Sequence, residues 1–138
     1  MKTFIILRGV SGSGKSTVAK LIEDLALGSL GRCVVGTADD YFMKDGVYKF
    51  NKFCLGKAHA ACKEKIDLAM SFNVPVIVLA NTNTTEKDIK PYIELANKYN
   101  YKIISLVVEN RHGNKNVHDV PENTLLQQEQ NIKGSLKL

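Results

Sequence analysis

One nine-residue stretch constrains this chain more than any other: Gly9-Val10-Ser11-Gly12-Ser13-Gly14-Lys15-Ser16-Thr17. It follows a short β-prone apolar run, Phe4 to Leu7. It leads into apolar residues at helical spacing: Val18, Leu21, Ile22, Leu25 and Ala26. A strand that turns through glycines straight into a helix points the helix's free N–H groups and positive dipole end at an anion. The glycines let successive backbone N–H groups curl around phosphate oxygens, which bulky residues would block. Gly9-x-x-x-x-Gly14-Lys15-Ser16 fits the Walker A pattern. Lys15 would then reach the β- and γ-phosphates, and the Ser16 hydroxyl would ligate Mg²⁺. With glycine at about 7% of residues, chance gives such a match in roughly one chain of this length in a few hundred. Gly9, Ser11, Gly12, Ser13, Gly14, Lys15, Ser16 and Thr17 are therefore the expected nucleotide-binding residues. ATP and Mg²⁺ are the expected ligands, and ADP the product.

The remaining segments alternate. Arg32 to Ala38 predicts a second strand, closed by Asp39 and Asp40, and Gly28 is the expected end of the first helix. Asp45-Gly46 marks a turn within the mixed segment Tyr41 to Phe53. Leu55, Ala58, His59, Cys62, Ile66, Ala69 and Met70 trace one helical face. Val76 to Leu79 is a third buried run, and the loop Asn81-Thr82-Asn83-Thr84-Thr85 follows it. Ile89, Tyr92, Ile93 and Ala96 form another helical stripe, with Thr85 and Asp88 as a capping box. Pro91 fits poorly deep in that helix, which predicts an irregular or shifted start. Ile103 to Val108 is a fourth strand, Asn110 to Asp119 a polar basic loop, and Pro121 opens a last helix that Gly134 ends.

Strict β-α alternation with apolar strands implies a parallel sheet covered on both faces. The expected fold is a three-layer α/β sandwich of the P-loop NTPase class, its four-stranded sheet in the order 2-3-1-4, with a short basic lid. Ligands of such sheets sit at the carboxyl ends of the strands. The glycine loop, Asp39-Asp40, Asn81-Thr82-Asn83 and the basic loop all fall at such ends.

At 138 residues, with 44% hydrophobic and 24% charged positions, the chain reads as a single domain, residues 1–138. A net charge of +5 suits a polyanionic partner, although solvated lysines account for it equally well. Cys33, Cys54 and Cys62 are odd in number and show no metal-site spacing, so free thiols are expected. Arg8 cuts the N-terminal apolar run too early for a signal peptide. The longest apolar stretch, Val74 to Ala80, is too short to span a membrane. A cytoplasmic protein without a membrane partner is the expectation.

The glycine loop does not say what receives the phosphate. A carboxylate at the tip of the strand beside it, Asp39 or Asp40, could take the proton from an attacking hydroxyl or hold a metal-bound water. A turn cap is the alternative use of either residue. The third strand ends in Ala80-Asn81, so the usual Walker B carboxylate is missing, and no Asn-Lys-x-Asp guanine-reading motif occurs. Both absences speak against a motor ATPase or a GTPase. The basic loop carries Arg111, His112, Lys115 and His118, cations suited to meet the charge spreading over a transferring phosphoryl group. His59 and Cys62 read as packed residues. Tyr48 and Phe50 could stack on a base or anchor their loop.

Taken together, Leu7 to Thr17, Ala38-Asp39-Asp40-Tyr41-Phe42, Asp45 to Asn51 with Ala58 to Cys62, Ala80 to Thr85, Pro91-Tyr92 and Asn116 to Pro121 resemble a known pattern. The chain is similar to small P-loop kinases of the polynucleotide 5′-hydroxyl kinase type. It looks nearest to the small AAA-type branch found in phages, bacteria and a ubiquitin-ligase-binding eukaryotic protein. The resemblance implies ATP-dependent transfer of the γ-phosphate to a hydroxyl. The acceptor would be the 5′-OH of a nucleic acid or nucleotide, with a small metabolite as the alternative. It implies Lys15, Asp39 and Arg111 as catalytic residues, Asp39 being the general base and Lys115 a substitute cation for Arg111. The chain departs from the pattern in three places. Phe42 stands where an acceptor-holding arginine is common, Asn81 stands for an acceptor-side aspartate, and His118-Asp119-Val120-Pro121 replaces His-Gly-Val-Pro.

Overall fold

The computed structural model describes residues 1–29, 31–114 and 119–138. Its main sheet is parallel throughout. β1 (Thr3–Arg8) lies between β5 (Val76–Leu79) and β6 (Lys102–Val107), and β2 (Cys33–Gly36) pairs on the outer side of β5. In sequence order of the four long-range strands this is 2-3-1-4, as expected. Thr3 aligns with Val76 on one side and Lys102 on the other, so the carboxyl ends form a common rim.

The two faces have separate cores. Phe4, Ile6, Ile77 and Leu79 pack under α2 (Leu55–Ser71) and α3 (Glu86–Lys98). Leu7, Val76 and Val78 pack under α1 (Lys15–Ser29). α4 (Glu122–Gly134) closes the chain, with Ile132 as its buried residue. No helix among the described residues is long and apolar enough to cross a membrane.

Several expectations need correction. α1 does not stop at Gly28. It runs to Ser29, and Gly31, at φ +94°, donates to the Ala26 carbonyl at 2.9 Å and closes the end. The buried side of α1 uses Ala19 and Ala26, with Val18 and Ile22 beside them, while Leu21 and Leu25 stay exposed. Periodicity marks a stripe, but small residues decide which side approaches the sheet closely. On α2, Leu55 and His59 are exposed and only Ala58, Cys62, Ile66, Ala69 and Met70 are buried. α3 begins at Glu86 behind an intact Thr85–Asp88 capping box and takes Pro91 into its interior without a shifted start. Strong N-terminal capping and the buried Ile89 and Tyr92 hold that helix together across the proline. The sheet is also not covered everywhere, since β6 is an edge strand exposed from Ser105 to Val107.

β2 ends at Gly36, where a Cβ would lie 2.7 Å from Ile66 Cδ1. Ala38–Phe42 then forms a 3₁₀ turn capped by the Thr37 hydroxyl. The segment after it is a small hairpin, β3 (Met43–Lys44) with β4 (Val47–Tyr48). Asp45 and Gly46 both have positive φ, 53° and 77°, the two-residue turn that matches strand twist. Phe42 is buried with Ala38 and Ala58, and so pins the hairpin to α2.

Candidate active site

The rim brings the four polar segments together. The Gly9 N–H donates to the Thr82 carbonyl (3.1 Å), and Asn83 Nδ2 donates to the Leu7 carbonyl (2.8 Å). The Ala38 N–H donates to Asn81 Oδ1 (2.7 Å). Arg8, buried at the end of β1, donates to the Asn83 carbonyl (2.7 Å) and to Ser135 Oγ. The glycine loop is thereby fixed from below by the loop after β5 and by the start of the C-terminal tail.

Within the loop the glycines serve two purposes. Gly12 and Gly14 have φ of +80° and +108°, a region that side chains disfavour. Gly9 is needed for space, because a Cβ there would lie 2.5 Å from Ser13 Oγ and 2.7 Å from the Val108 carbonyl oxygen. The Ser13 hydroxyl is fully buried and has no hydrogen-bond partner among the described residues. The Ser11 N–H is met by Gln128 Oε1 of α4 at 2.9 Å. Ser16 and Thr17 are exposed in the first turn of α1.

Lys15 is 8% exposed, and its Nζ donates to the Gly9 and Val10 carbonyls at 2.9 and 2.8 Å. Burial brings its pKa down to about 8, partly offset by the negative charge of Asp39. The charge of Asp39, on the segment after β2, thus acts on Lys15, on the loop after β1. Asp39 sits in the 3₁₀ turn, not at a strand terminus. Its N–H donates to Thr37 Oγ1 (3.2 Å), and its Oδ1 accepts from the Tyr48 hydroxyl (3.3 Å). Burial first, then Asp39, pushes the Tyr48 pKa up to about 12, so this hydroxyl remains a donor at any working pH. Asp40 turns elsewhere, its carboxylate 3.7 Å from Lys65 Nζ.

Asn81 occupies the Walker B position as a strut. Its oxygen holds the Ala38 N–H, and its Nδ2 faces Cys62 Sγ at 3.7 Å. Cys62 is core, as expected, and burial raises its thiol pKa. Beside Asn81, between α2 and α3, lies a cavity of about 340 Å³ lined by His59, Lys63, Thr82 and Asp88 among others.

Two of the basic loop's cations lie among the described residues. Arg111 is 84% exposed and paired with Glu109. His112, one residue on, is the ring that reaches the glycine loop. Its Nε2 lies 3.8 Å from where a Gly14 Cβ would be, and its Nδ1 accepts from the Asn114 N–H at 2.9 Å. Lys115 and His118 lie outside the described residues. Sequence reasoning assigned no role in the site to Gln128, counted His112 only as one of several loop cations, and read Tyr48 as a base-stacking or anchoring ring rather than a partner of Asp39. The contacts of Gln128 and Tyr48 span 117 and nine positions in the chain, and no local pattern announces either.

The sequence is 36% identical over 101 residues to human NEDD4-binding protein 2, covering 72% of this chain and 5% of that protein. Among solved structures it is similar to a chain of the Pnkp1/Rnl/Hen1 RNA repair complex. That likeness has a TM-score of 0.72 at 18% identity and covers 97% of this chain and 45% of that one. It is also similar to Chaetomium thermophilum Kti12 in complex with ADP-AlF3, with a TM-score of 0.60 at 12% identity over 93% of this chain and 79% of that one. These likenesses show the fold, an α/β sandwich on a four-stranded parallel sheet, and nothing finer. Over residues 4–134 the sequence matches a single family along almost its whole length, and the chain belongs to that family, the AAA domain family AAA_33.

Proposed function

We propose that this chain is an ATP-dependent phosphotransferase that moves the γ-phosphate of ATP onto a hydroxyl, the 5′-OH of a polynucleotide or nucleotide. The observation that carries the reading is the glycine loop with the buried Lys15 on its carbonyls and, on the same rim, Asp39 in the capped turn after β2, its negative charge acting on Lys15. A simple nucleotide sensor has no need of a base on the acceptor side, and the Walker B carboxylate that a motor ATPase uses is replaced here by Asn81. The likeness to a chain of an RNA repair complex supports a nucleic-acid acceptor.

In this reading the N–H groups of Gly12 to Thr17 and the Lys15 ammonium hold the phosphates. Asp39 takes the proton from the acceptor hydroxyl. The acceptor oxygen bonds to the γ-phosphorus as the bond to the β-phosphate oxygen breaks, and ADP leaves. Mg²⁺, when bound, neutralises the phosphate charge. The exposed Ser16 hydroxyl suits it, because this ion keeps most of its waters and needs few protein ligands. Arg111 leaves Glu109 to meet the transferring group, and His112 Nε2 already faces the loop. The three free thiols, Cys33, Cys54 and Cys62, fit a reducing cytosol, and residues 1–138 act as one domain.

A small-metabolite acceptor is the second reading, favoured by the cavity of about 340 Å³ beside Asn81. Labelled ATP offered with 5′-OH oligonucleotides, and separately with nucleosides and small alcohols, separates the two. Label on oligonucleotides supports the first reading, and label only on small molecules supports the second. ATP binding without transfer to any acceptor overturns both.

A further inference from the structure

The hairpin segment Tyr41 to Phe53 carries three lysines against one aspartate and five aromatic rings. The structure divides those rings. Phe42 is buried, and Tyr48 is half-buried with its hydroxyl on Asp39. Both serve the fold and the site. Tyr41, Phe50 and Phe53 face outward, 39%, 55% and 86% exposed. They are held there: Tyr41 and Phe50 pack against the fixed Phe42 ring at 5.5 and 5.1 Å. Phe53 is set by a turn in which Asn51 Oδ1 accepts its N–H at 3.0 Å. Large rings fixed in water at the cost of their own burial mark a surface that something covers.

The chemistry around the rings selects the occupant. Tyr41 and Phe50 line a cavity of about 310 Å³ whose charged lining residues are Lys44 and Lys49. Lys52 Nζ lies 5.3 Å from the Phe53 ring centre. Flat apolar faces interleaved with ammonium groups match a chain that alternates bases with phosphates, and they match it only where the bases are unstacked. The hydrogen bond from Tyr48 to Asp39 joins this surface to the acceptor side of the rim.

We infer that the hairpin is a binding platform for single-stranded nucleic acid, holding the nucleotides that follow a 5′ end presented at Asp39. The inference rests on the phosphotransferase reading for its direction, but not for its binding. Bases stack on Phe50 and Phe53, and Lys44, Lys49 and Lys52 meet the phosphates.

The test is binding without ATP, by fluorescence anisotropy of a labelled 5′-OH twelve-nucleotide single strand at several salt concentrations. The variants are Phe50→Ala, Phe53→Ala and the pair Lys44→Ala with Lys49→Ala, each checked by thermal melt. Each ring loss should weaken binding about tenfold. Loss of both lysines should reduce the magnitude of the logarithmic salt slope by about 1.4. Full affinity in the folded double variant Phe50→Ala/Phe53→Ala overturns the platform. So does equal affinity for a blunt duplex, and so does binding to anionic phosphatidylserine vesicles with none to the oligonucleotide. Oligonucleotide binding that depends on the rings, without phosphate transfer, sustains the platform and sinks the phosphotransferase reading. Transfer to small alcohols with no oligonucleotide binding does the reverse.

Discussion

Tyr48 donates its hydroxyl to Asp39 across 3.3 Å, from the second strand of the hairpin to the turn that follows β2. If Asp39 is the general base, this bond sets the direction of its carboxylate. Tyr48→Phe keeps the ring on Phe42 and removes the donor. The expected result is a fall of about tenfold in kcat with the ATP KM nearly unchanged, since loss of a hydrogen bond to a charged group is worth about 1.5 kcal/mol. Steady-state kinetics with both substrates varied checks it, and an unchanged kcat removes Tyr48 from the mechanism.

Asp39→Asn keeps the size and capping capacity of the side chain but cannot take a proton. Transfer should fall by roughly 10²–10⁴-fold while ATP affinity and the melting temperature hold. Asp40→Asn should be nearly silent, because its exposed pairing with Lys65 contributes about 0–1 kcal/mol at most. In a 3₁₀ turn successive residues point about 120° apart, and Asp40 points to Lys65 while Asp39 meets Tyr48. An active Asp39→Asn beside an inactive Asp40→Asn would exchange the two assignments.

Lys15 gives the site a pH dependence of defined sign. In the nucleotide-free fold its pKa is lowered to about 8 from 10.5, and bound phosphates should restore it. ATP binding above pH 8 then takes up a proton, so affinity should fall by up to tenfold per pH unit over pH 8–10 and be flat in this respect below 8. The unfolded chain binds more protons than the fold in the same window, so nucleotide-free stability should rise as pH goes from about 8 to 10.5. Calorimetric titration of ATP and thermal melts across pH 7–10 test both signs. Lys15→Ala should lower ATP affinity by an order of magnitude or more at pH 7 and abolish the pH dependence.

Much of this arrangement was legible in advance. Gly9 to Thr17 announced the loop, Thr85 with Asp88 the cap of α3, and Asp45-Gly46 the hairpin turn, because each is a local rule satisfied by adjacent residues. What was not legible depends on distance. Asn81 read only as a missing carboxylate, and its role as a strut needs Ala38, 43 positions away. Leu21 and Leu25 fit the helical stripe of α1 but lie to one side of where the helix meets the sheet. Arg111 was the natural choice for a loop cation, yet backbone geometry turned its neighbour His112 towards Gly14.

Asn81→Ala should show the strut directly. It leaves the Ala38 N–H buried without its acceptor, which costs about 1–3 kcal/mol. The turn bearing Asp39 should loosen with it, so turnover should fall further than stability alone explains. Denaturant unfolding paired with transfer assays separates the two effects, and a neutral Asn81→Ala would show that the turn stands without it.

The two described cations of the basic loop can be compared by substitution. Arg111→Ala should reduce turnover far more than ADP affinity, because its contact would form only as charge spreads onto the γ-phosphoryl oxygens. His112→Ala should weaken ADP and ATP alike, because its ring already lies against the loop in the nucleotide-free fold. Isothermal titration with ADP beside turnover measurements distinguishes them, and two silent variants would make the segment plain surface.

Gly9 has a mechanical consequence. The Val108 carbonyl lies where its Cβ would stand, the Val108 N–H donates to the Arg8 carbonyl at 2.7 Å, and Val108 and His112 both lie against Gly14. The root of the basic segment thus meets the glycine loop at both of its ends, Gly9 and Gly14. The two cannot be tuned separately. A side chain added at Gly9 would press on the Val108 carbonyl, the root of the basic segment, as well as on Ser13 within the loop.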